Sequence, residues 1–228
     1  MGSPVKAGDV LADKYRVERV LGQGGMGLIV AATHIELDEK VAIKFLIGVP
    51  SEASAKRFLT EAKAAAKIRN EHVCRTFDFG RTASGEPYIV MEYLEGNDLG
   101  EELATRGPLP AAEVAEWSLQ ACKALATAHA LGIVHRDIKP ENLFLCTAHG
   151  RGPRTLKVLD FGVSKMPDSS VTKSAIAMGS PLYMAPEQMA SSRDVDARAD
   201  VWSLGATMYE LLSGRPPFDA PNVLALAA

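Results

Sequence analysis

Cysteine is scarce: Cys74, Cys122 and Cys146 lie far apart, and no CxxC pair occurs. An odd, scattered set supports neither a disulfide framework nor a zinc site, and it fits three structural thiols in a reducing compartment. Long apolar runs are lacking too. No stretch of about 18 apolar residues occurs, so nothing in this sequence reads as a membrane span. The opening MGSPVKAGDV has no apolar core of the kind a secretory signal needs, and Lys6 stands where myristoylation wants Ser or Thr. The expected location is the cytoplasm, with any membrane tether in a segment outside these residues. Charge of one sign is not in excess: a net −3 over 228 residues gives no overall attraction to nucleic acid or to an acidic membrane surface. What is present, 47% hydrophobic and 23% charged residues, is ordinary for a globular protein with room for one large domain or two small ones.

Hydrophobic periodicity divides the chain in two. Residues 15–47 read as strands: YRVERVLG alternates, GLIVAATHIE continues in β-rich residues, and a polar turn from Leu37 to Lys40 leads into VAIKFLI. Two antiparallel hairpins account for this. A helix is expected from Glu52 to Ile68, after Pro50 and Ser51, followed by two strands in HVCRTFDFG and EPYIVMEYL with Ser84 and Gly85 at their turn. Beyond Gly96 the character is helical. One helix starts near Pro110, carries apolar residues at 114, 117, 121, 125 and 128, and stops at Gly132. A second runs through DARADVWSLGATMYELLSG to Gly214. Residues 133–195 read as irregular.

The segment Gly22-Gln23-Gly24-Gly25-Met26-Gly27 matches GxGxxG, a weak signal alone because dinucleotide-binding folds share it. There the glycines open a helix, whereas here they lie between two strands. A hairpin turn of this kind lets backbone N–H groups approach phosphate oxygens without side-chain clash, although a merely flexible turn is also consistent with it. Val41-Ala42-Ile43-Lys44 follows. A lysine among apolar strand residues is usually a snorkelling residue, but one strand after the glycine turn it can reach phosphates. A buried ammonium needs a carboxylate, and Glu61 in the next helix can supply it. Lys56, Arg57 and Lys63 make a solvated helix face the plainer reading of that glutamate.

His135-Arg136-Asp137-Ile138-Lys139-Pro140-Glu141-Asn142 is the most specific feature. Six fixed positions recur by chance on the order of 10⁻⁸ per start site. With Asp160-Phe161-Gly162 and Ala185-Pro186-Glu187 following in order, the chain resembles the protein-kinase superfamily from about Tyr15 to Phe218. Lys139, two residues after Asp137, resembles the serine/threonine branch, and the sequence is similar to bacterial, often transmembrane, serine/threonine kinases. The implied fold is α+β with two lobes. Residues 1–14 would be an extension, 15–94 a strand-rich lobe with one helix, and 95–228 a mainly helical lobe.

Phosphoryl transfer to an alcohol asks for alignment and charge neutralisation more than covalent help. Asp137 would orient the substrate hydroxyl and take its proton late, since a carboxylate is too weak a base for early abstraction. Lys139 would screen the transferring group, and Asn142 and Asp160 offer hard oxygen ligands suited to Mg²⁺. The resemblance assigns Lys44 to the α/β-phosphates of ATP and to Glu61. It walls the adenine pocket with Leu21, Ile29, Ala42, Phe144 and Leu159, with Leu28 also in the nucleotide site. Met91 would be the gatekeeper, the Glu92 carbonyl and Leu94 N–H would face the adenine edge, and Asp98 would meet ribose. His135 is expected as a packed core residue.

Between the metal-binding aspartate and APE lie Ser169, Ser170, Thr172, Ser174 and Ser180. VTKS resembles activation loops that autophosphorylate, which points to Thr172 or Ser174, with Arg136 and Lys165 as partners for the added charge. Expected partners are protein substrates, with no nucleic acid. The resemblance also implies further helices after Phe218, one carrying an arginine for a buried Glu187, so that 228 residues alone are expected to be poorly stable. An ATP-binding scaffold without activity is the alternative that this ending favours. The presence of Lys44, Glu61, Asp137, Asn142 and Asp160 argues instead for an enzyme.

Overall fold

The computed structural model describes residues 5–24, 27–46, 52–147, 154–161, 181–190 and 195–218. Its chain falls into two compact units, Met1–Lys67 with Cys74–Leu94, and Ile68–Val73 with Glu95–Ala228.

The first unit is a six-stranded antiparallel sheet of β1 (Val10–Leu11), β2 (Tyr15–Gly24), β3 (Gly27–His34), β4 (Glu39–Phe45), β5 (Thr76–Arg81) and β6 (Pro87–Glu92), in the order β1-β2-β3-β4-β6-β5. The two expected hairpins are present, and Gly85 closes the β5–β6 turn through its N–H to Thr82 O (3.0 Å). Alternation decides what this sheet buries. Val17, Leu28, Val30, Ala32, Val41, Ile43, Phe45 and Val90 form one apolar cluster with Leu11, Tyr15 and Tyr88. The sheet curls around it: the Tyr15 hydroxyl on β2 donates to Asp78 on β5 (3.2 Å), although three strands separate them in the sheet order. Burial and the Asp78 carboxylate push the Tyr15 phenol up to about 12. Helix α1 (Glu52–Ala65) lays Ala55, Phe58 and Ala62 against β5 and β6.

The second unit holds a three-stranded antiparallel sheet of β7 (Gly96–Asp98), β8 (Leu143–Cys146) and β9 (Thr155–Val158). Its helices are α2 (Leu99–Arg106), α3 (Ala111–Ala130), α4 (Pro186–Ala190) and α5 (Arg198–Ser213). The stretch 133–195 is therefore not wholly irregular. LFLC and TLKV pair as a short antiparallel hairpin, and α3 packs against β9. The five α3 positions expected to be apolar, Val114, Trp117, Ala121, Leu125 and Ala128, are all buried. Pro110 is the residue before that helix rather than within its first turn. Gly132 and Gly214 terminate α3 and α5 with φ of 72° and 79°, as their sequence positions suggest.

Two arginines and two glutamates brace α2 against α3. Arg106 meets Glu102 (3.1 Å) and Glu113 (2.8 Å), while Arg154 meets Glu102 (2.8 Å) and covers the Trp117 ring (5.4 Å). Burial pushes the Glu102 carboxyl up, but hydrogen bonds from Arg154 and Arg106 more than offset this and hold it below the usual range. Residues 68–73 pack with the second unit: Val73 pairs with Val158, His72 Nδ1 meets Leu156 O (3.1 Å), and the Asn70 amide donates to Thr127 Oγ1 (2.8 Å). Among the described residues, no helix is long and apolar enough to cross a membrane.

Candidate active site

In the first unit the glycine turn is a hairpin, as its flanking residues suggest. β2 and β3 stay paired from Tyr15–His34 to Gly24–Gly27, and Gly25 and Met26 lie outside the described residues. Gly27 has a packing reason of its own, because a Cβ there would stand 2.1 Å from the Phe45 carbonyl oxygen. Leu28 belongs to the core and is 1% exposed, so its side chain is not offered to a ligand. Leu21 is exposed, and Ile29 is half-buried. Gly22 pairs with Ile29 and Gln23 with Leu28, which carries the turn out along the end of the hairpin.

Lys44 stands on β4 between Ile29 of β3 and Ile89 of β6, near the middle of the sheet, and is 3% exposed. An ammonium that deep requires an anion. Glu61, on the α1 helix that packs on the same sheet, is half-buried. Ala42 pairs with Met91 and is buried, while Glu92 ends β6 with Leu94 two residues on, both half-buried.

In the second unit Asp98 closes β7 and caps α2, accepting the Glu101 N–H (2.9 Å). Burial raises its carboxyl above the ordinary value, against hydrogen bonds from the α2 backbone. The β8–β9 register governs the rest. Leu143 pairs with Val158, which sets Asn142 one residue before the pair and Asp160 two residues after it. The Leu159 N–H donates to Asn142 O (2.9 Å), and His135 Nε2 meets Leu159 O (2.7 Å), so the two segments are stitched beside Asp160. Asp160 itself has φ 55°, a left-handed backbone that a short acidic residue tolerates better than most. Phe144 on β8 and Leu159 are half-buried.

The Asn142 amide nitrogen donates to Asp137 O (2.7 Å) and Asp137 Oδ2 (3.1 Å). That fixes the amide's orientation and turns its oxygen away from Asp137. Lys139 Nζ lies 4.0 Å from Asp137 Oδ2. Among the described residues no group of three or more His, Cys, Asp or Glu could hold a metal by itself. An amide oxygen and a carboxylate suit a hard cation that shares its shell with phosphates, so the donor set fits Mg²⁺.

His135 is 1% exposed and packs edge-on against Phe161 (4.8 Å). Its Nδ1 accepts the Asp137 N–H (3.2 Å), so Nε2 carries the proton that goes to the Leu159 carbonyl. That is a packed, bonded core histidine.

Sequence reasoning missed Asp200. This wholly buried α5 carboxylate accepts the His135 N–H (2.8 Å) and the Arg136 N–H (2.7 Å), and it meets His129 Nε2 (2.7 Å). It thereby holds the backbone just before Asp137, where Arg136 has φ 65°. Its signal was an acid within an apolar helical run, which must find partners if buried. Gln188 was missed as well: its Nε2 donates to Arg136 O (3.0 Å) and its Oε1 accepts the Ala185 N–H (3.1 Å). Ser203 of α5 donates to Tyr183 O (2.7 Å), and the Tyr183 hydroxyl donates to Glu210. Burial first, then Glu210, push that phenol far up.

The Arg136 guanidinium reaches Val195 O (3.4 Å), while its Nε is buried without a hydrogen-bond partner among the described residues. Gly162, Lys165, Ser169, Ser170, Thr172, Ser174 and Ser180 fall outside the described residues. Glu187, expected to be buried, is exposed on α4, and the charge of Arg198 interacts with it.

The protein kinase domain family matches residues 15–226. The chain belongs to the protein kinase family. It is 37% identical over 227 residues to the serine/threonine-protein kinase pkn3 of Myxococcus xanthus, covering 96% of this chain and 41% of that protein. With Pkn1 of the same organism the identity is 41% over 220 residues, 95% of this chain and 31% of the relative. With the serine/threonine-protein kinase PknB of Mycobacterium leprae it is 38% over 224 residues, 95% and 35%. The chain thus spans less than half the length of these curated relatives. The crystal structure of the Mycobacterium tuberculosis PknI kinase domain superposes with a TM-score of 0.77 at 31% identity, over 95% of this chain and 81% of that one. The two-lobed α+β expectation is borne out.

Proposed function

We propose that this chain is a protein serine/threonine kinase that transfers the γ-phosphoryl group of ATP to Ser or Thr hydroxyls of proteins. The observation that carries the reading is the fixed trio of Asp137, Asn142 and Lys139: an amide bonded to the carboxylate and an ammonium 4.0 Å from it. Asp137 orients the acceptor hydroxyl and receives its proton as the new P–O bond forms, and the leaving electrons pass to the ADP oxygen. Lys139, beside Asp137, neutralises charge on the group in transit. Asn142 and Asp160 would hold Mg²⁺, which when bound would screen the phosphate oxygens. Lys44, held by Glu61, positions the α/β-phosphates, and the turn from Gly22 to Gly27 covers them with backbone N–H groups. Leu21, Ile29, Ala42, Glu92, Leu94 and Asp98 bind the nucleoside.

Thr172 or Ser174 is the site of self-phosphorylation, and the Arg136 Nε, buried without a hydrogen-bond partner among the described residues, supports a role for that guanidinium in holding the added phosphate. Three scattered cysteines with no CxxC pair support a cytoplasmic setting, with any tether elsewhere.

The test is Asp137→Asn, assayed with ATP, Mg²⁺ and a basic protein substrate. Transfer should fall by about 10³-fold or more while ATP affinity stays within about twofold, because the carboxylate acts on the hydroxyl rather than on the nucleotide. A wild-type rate in that variant would refute the assignment. Mass spectrometry should find phosphate on Thr172 or Ser174 in the wild type and lose it in Asp137→Asn. Equal phosphate in both would indicate another kinase.

A further inference from the structure

The peptide unit joining Arg136 to Asp137 is held from both sides. Its N–H donates to His135 Nδ1 (3.2 Å), and its carbonyl accepts from Gln188 Nε2 (3.0 Å). The unit before it is fixed by the Arg136 N–H on Asp200 (2.7 Å). Between these ties Arg136 keeps a φ of 65°, a conformation that a residue with a Cβ adopts only where its surroundings impose it. Three of the four backbone groups flanking Arg136 are thus pinned by side chains: the two N–H groups and the carbonyl that Gln188 holds. Asp200 and His135 pin the N–H groups from α5 and from the loop itself, but Gln188 acts from α4, which follows the 3₁₀ turn Pro181–Tyr183. Its amide cannot be turned over. The oxygen accepts the Ala185 N–H (3.1 Å), so the nitrogen must face the Arg136 carbonyl.

We propose that Gln188 is a positioning residue for phosphoryl transfer. By donating to the Arg136 carbonyl it sets the plane of the peptide unit from which Asp137 projects, and hence where the Asp137 carboxylate meets the acceptor hydroxyl. The inference rests on the role of Asp137 proposed above. Rotating one peptide plane moves the following side chain by about an ångström, and misplacement on that scale can cost about 10²-fold in rate. It also makes the geometry at Asp137 depend on where α4 lies, so a shift of Ala185 and Gln188 reaches the reacting carboxylate through a single hydrogen bond.

Two substitutions separate the halves of the amide. Gln188→Glu keeps an acceptor for Ala185 and loses the donor to Arg136, whereas Gln188→Lys keeps a donor and loses the acceptor. Single-turnover transfer to a basic protein substrate is measured at saturating ATP and Mg²⁺, and nucleotide affinity is titrated with a non-hydrolysable ATP analogue. Gln188→Glu should lower the single-turnover rate about tenfold or more with analogue affinity within about twofold, and Gln188→Lys should retain several-fold more activity than Gln188→Glu. A purely Coulombic effect beside the Arg136 cation would favour the glutamate instead. A wild-type rate for Gln188→Glu, equal losses in both variants, or loss of analogue binding together with rate would each overturn the proposal. Asp137→Asn in the same assay tells the two readings apart. If it is inactive while Gln188→Glu is unimpaired, only the positioning role fails. If Asp137→Asn is unimpaired, the reading of Asp137 fails and the role of Gln188 falls with it.

Discussion

Replacing Asp200 by asparagine changes one carboxylate oxygen to an amide NH₂ in a site with no room for a mistake. The carboxylate accepts two backbone N–H groups and meets the His129 ring, all at 2.7–2.8 Å, with no solvent exposure. Asparagine has one acceptor oxygen. Whichever way it is turned, its NH₂ group confronts the N–H of either His135 or Arg136. Hydrogen bonds to a charged group contribute about 1.5–3 kcal/mol, and a buried donor left unpaired costs about 1–3 kcal/mol. Loss of one such bond with one orphaned donor therefore destabilises by about 3–5 kcal/mol, similar to breaking a buried ion pair. At about 2–4 °C per kcal/mol for a chain of this size, the melting temperature should fall by about 6–20 °C. Because Arg136 keeps its left-handed φ through the same contacts, transfer should fall by about 10²-fold even well below the transition. Thermal denaturation followed by circular dichroism gives the first number, and single-turnover assays at low temperature give the second. A variant melting within about 2 °C of the wild type and transferring phosphate at its rate would refute the reasoning.

Two further outcomes are expected from the frame around the site. Gly96→Ala should destabilise by more than about 2 kcal/mol, because φ is 144° there and the new Cβ would lie 1.9 Å from the Leu145 oxygen. Chemical denaturation measures the loss, and nucleotide affinity should weaken as Asp98, two residues on, is displaced. Glu102→Gln should cost about 1–3 kcal/mol at pH 7, since it uncouples Arg106 and Arg154. The folded carboxyl lies below its ordinary value, so its stabilisation is complete above the unfolded pKa of about 4.3 and disappears as pH falls through the folded one. The deficit of Glu102→Gln should shrink on acidification in denaturation curves, and a deficit that grew would contradict the assigned role.

Much of the fold was legible because its signals are local. Alternation marked β2, β-rich composition and a polar turn marked β3 and β4, and the five apolar positions of α3 marked its buried stripe. Gly132 and Gly214 announced their helix ends through the need for positive φ. The β8–β9 hairpin was not legible, since two four-residue segments are too short to show a reliable period before they pair. The eight-residue α2 was hidden for a similar reason, sharing its first turn with an Asp98 read only as a ligand. For the candidate site, residues in an unbroken motif such as 135–142 were visible. Asp200 and Gln188 were not, because each acts on a backbone group more than 50 positions away, and side-chain-to-backbone bonds leave no pattern in sequence.

The six residues 68–73 have a consequence for dissection. They are borrowed from the middle of one unit's sequence and fastened in the other by Asn70, His72 and Val73. No single cut can therefore separate the two bodies cleanly. A fragment ending at Leu94 would carry away Val73, the bridge partner of Val158, and leave a slot in what remains, while displaying a hexapeptide built for a neighbour it no longer has. The chain runs through the second unit before the first is finished, so the two share a thread.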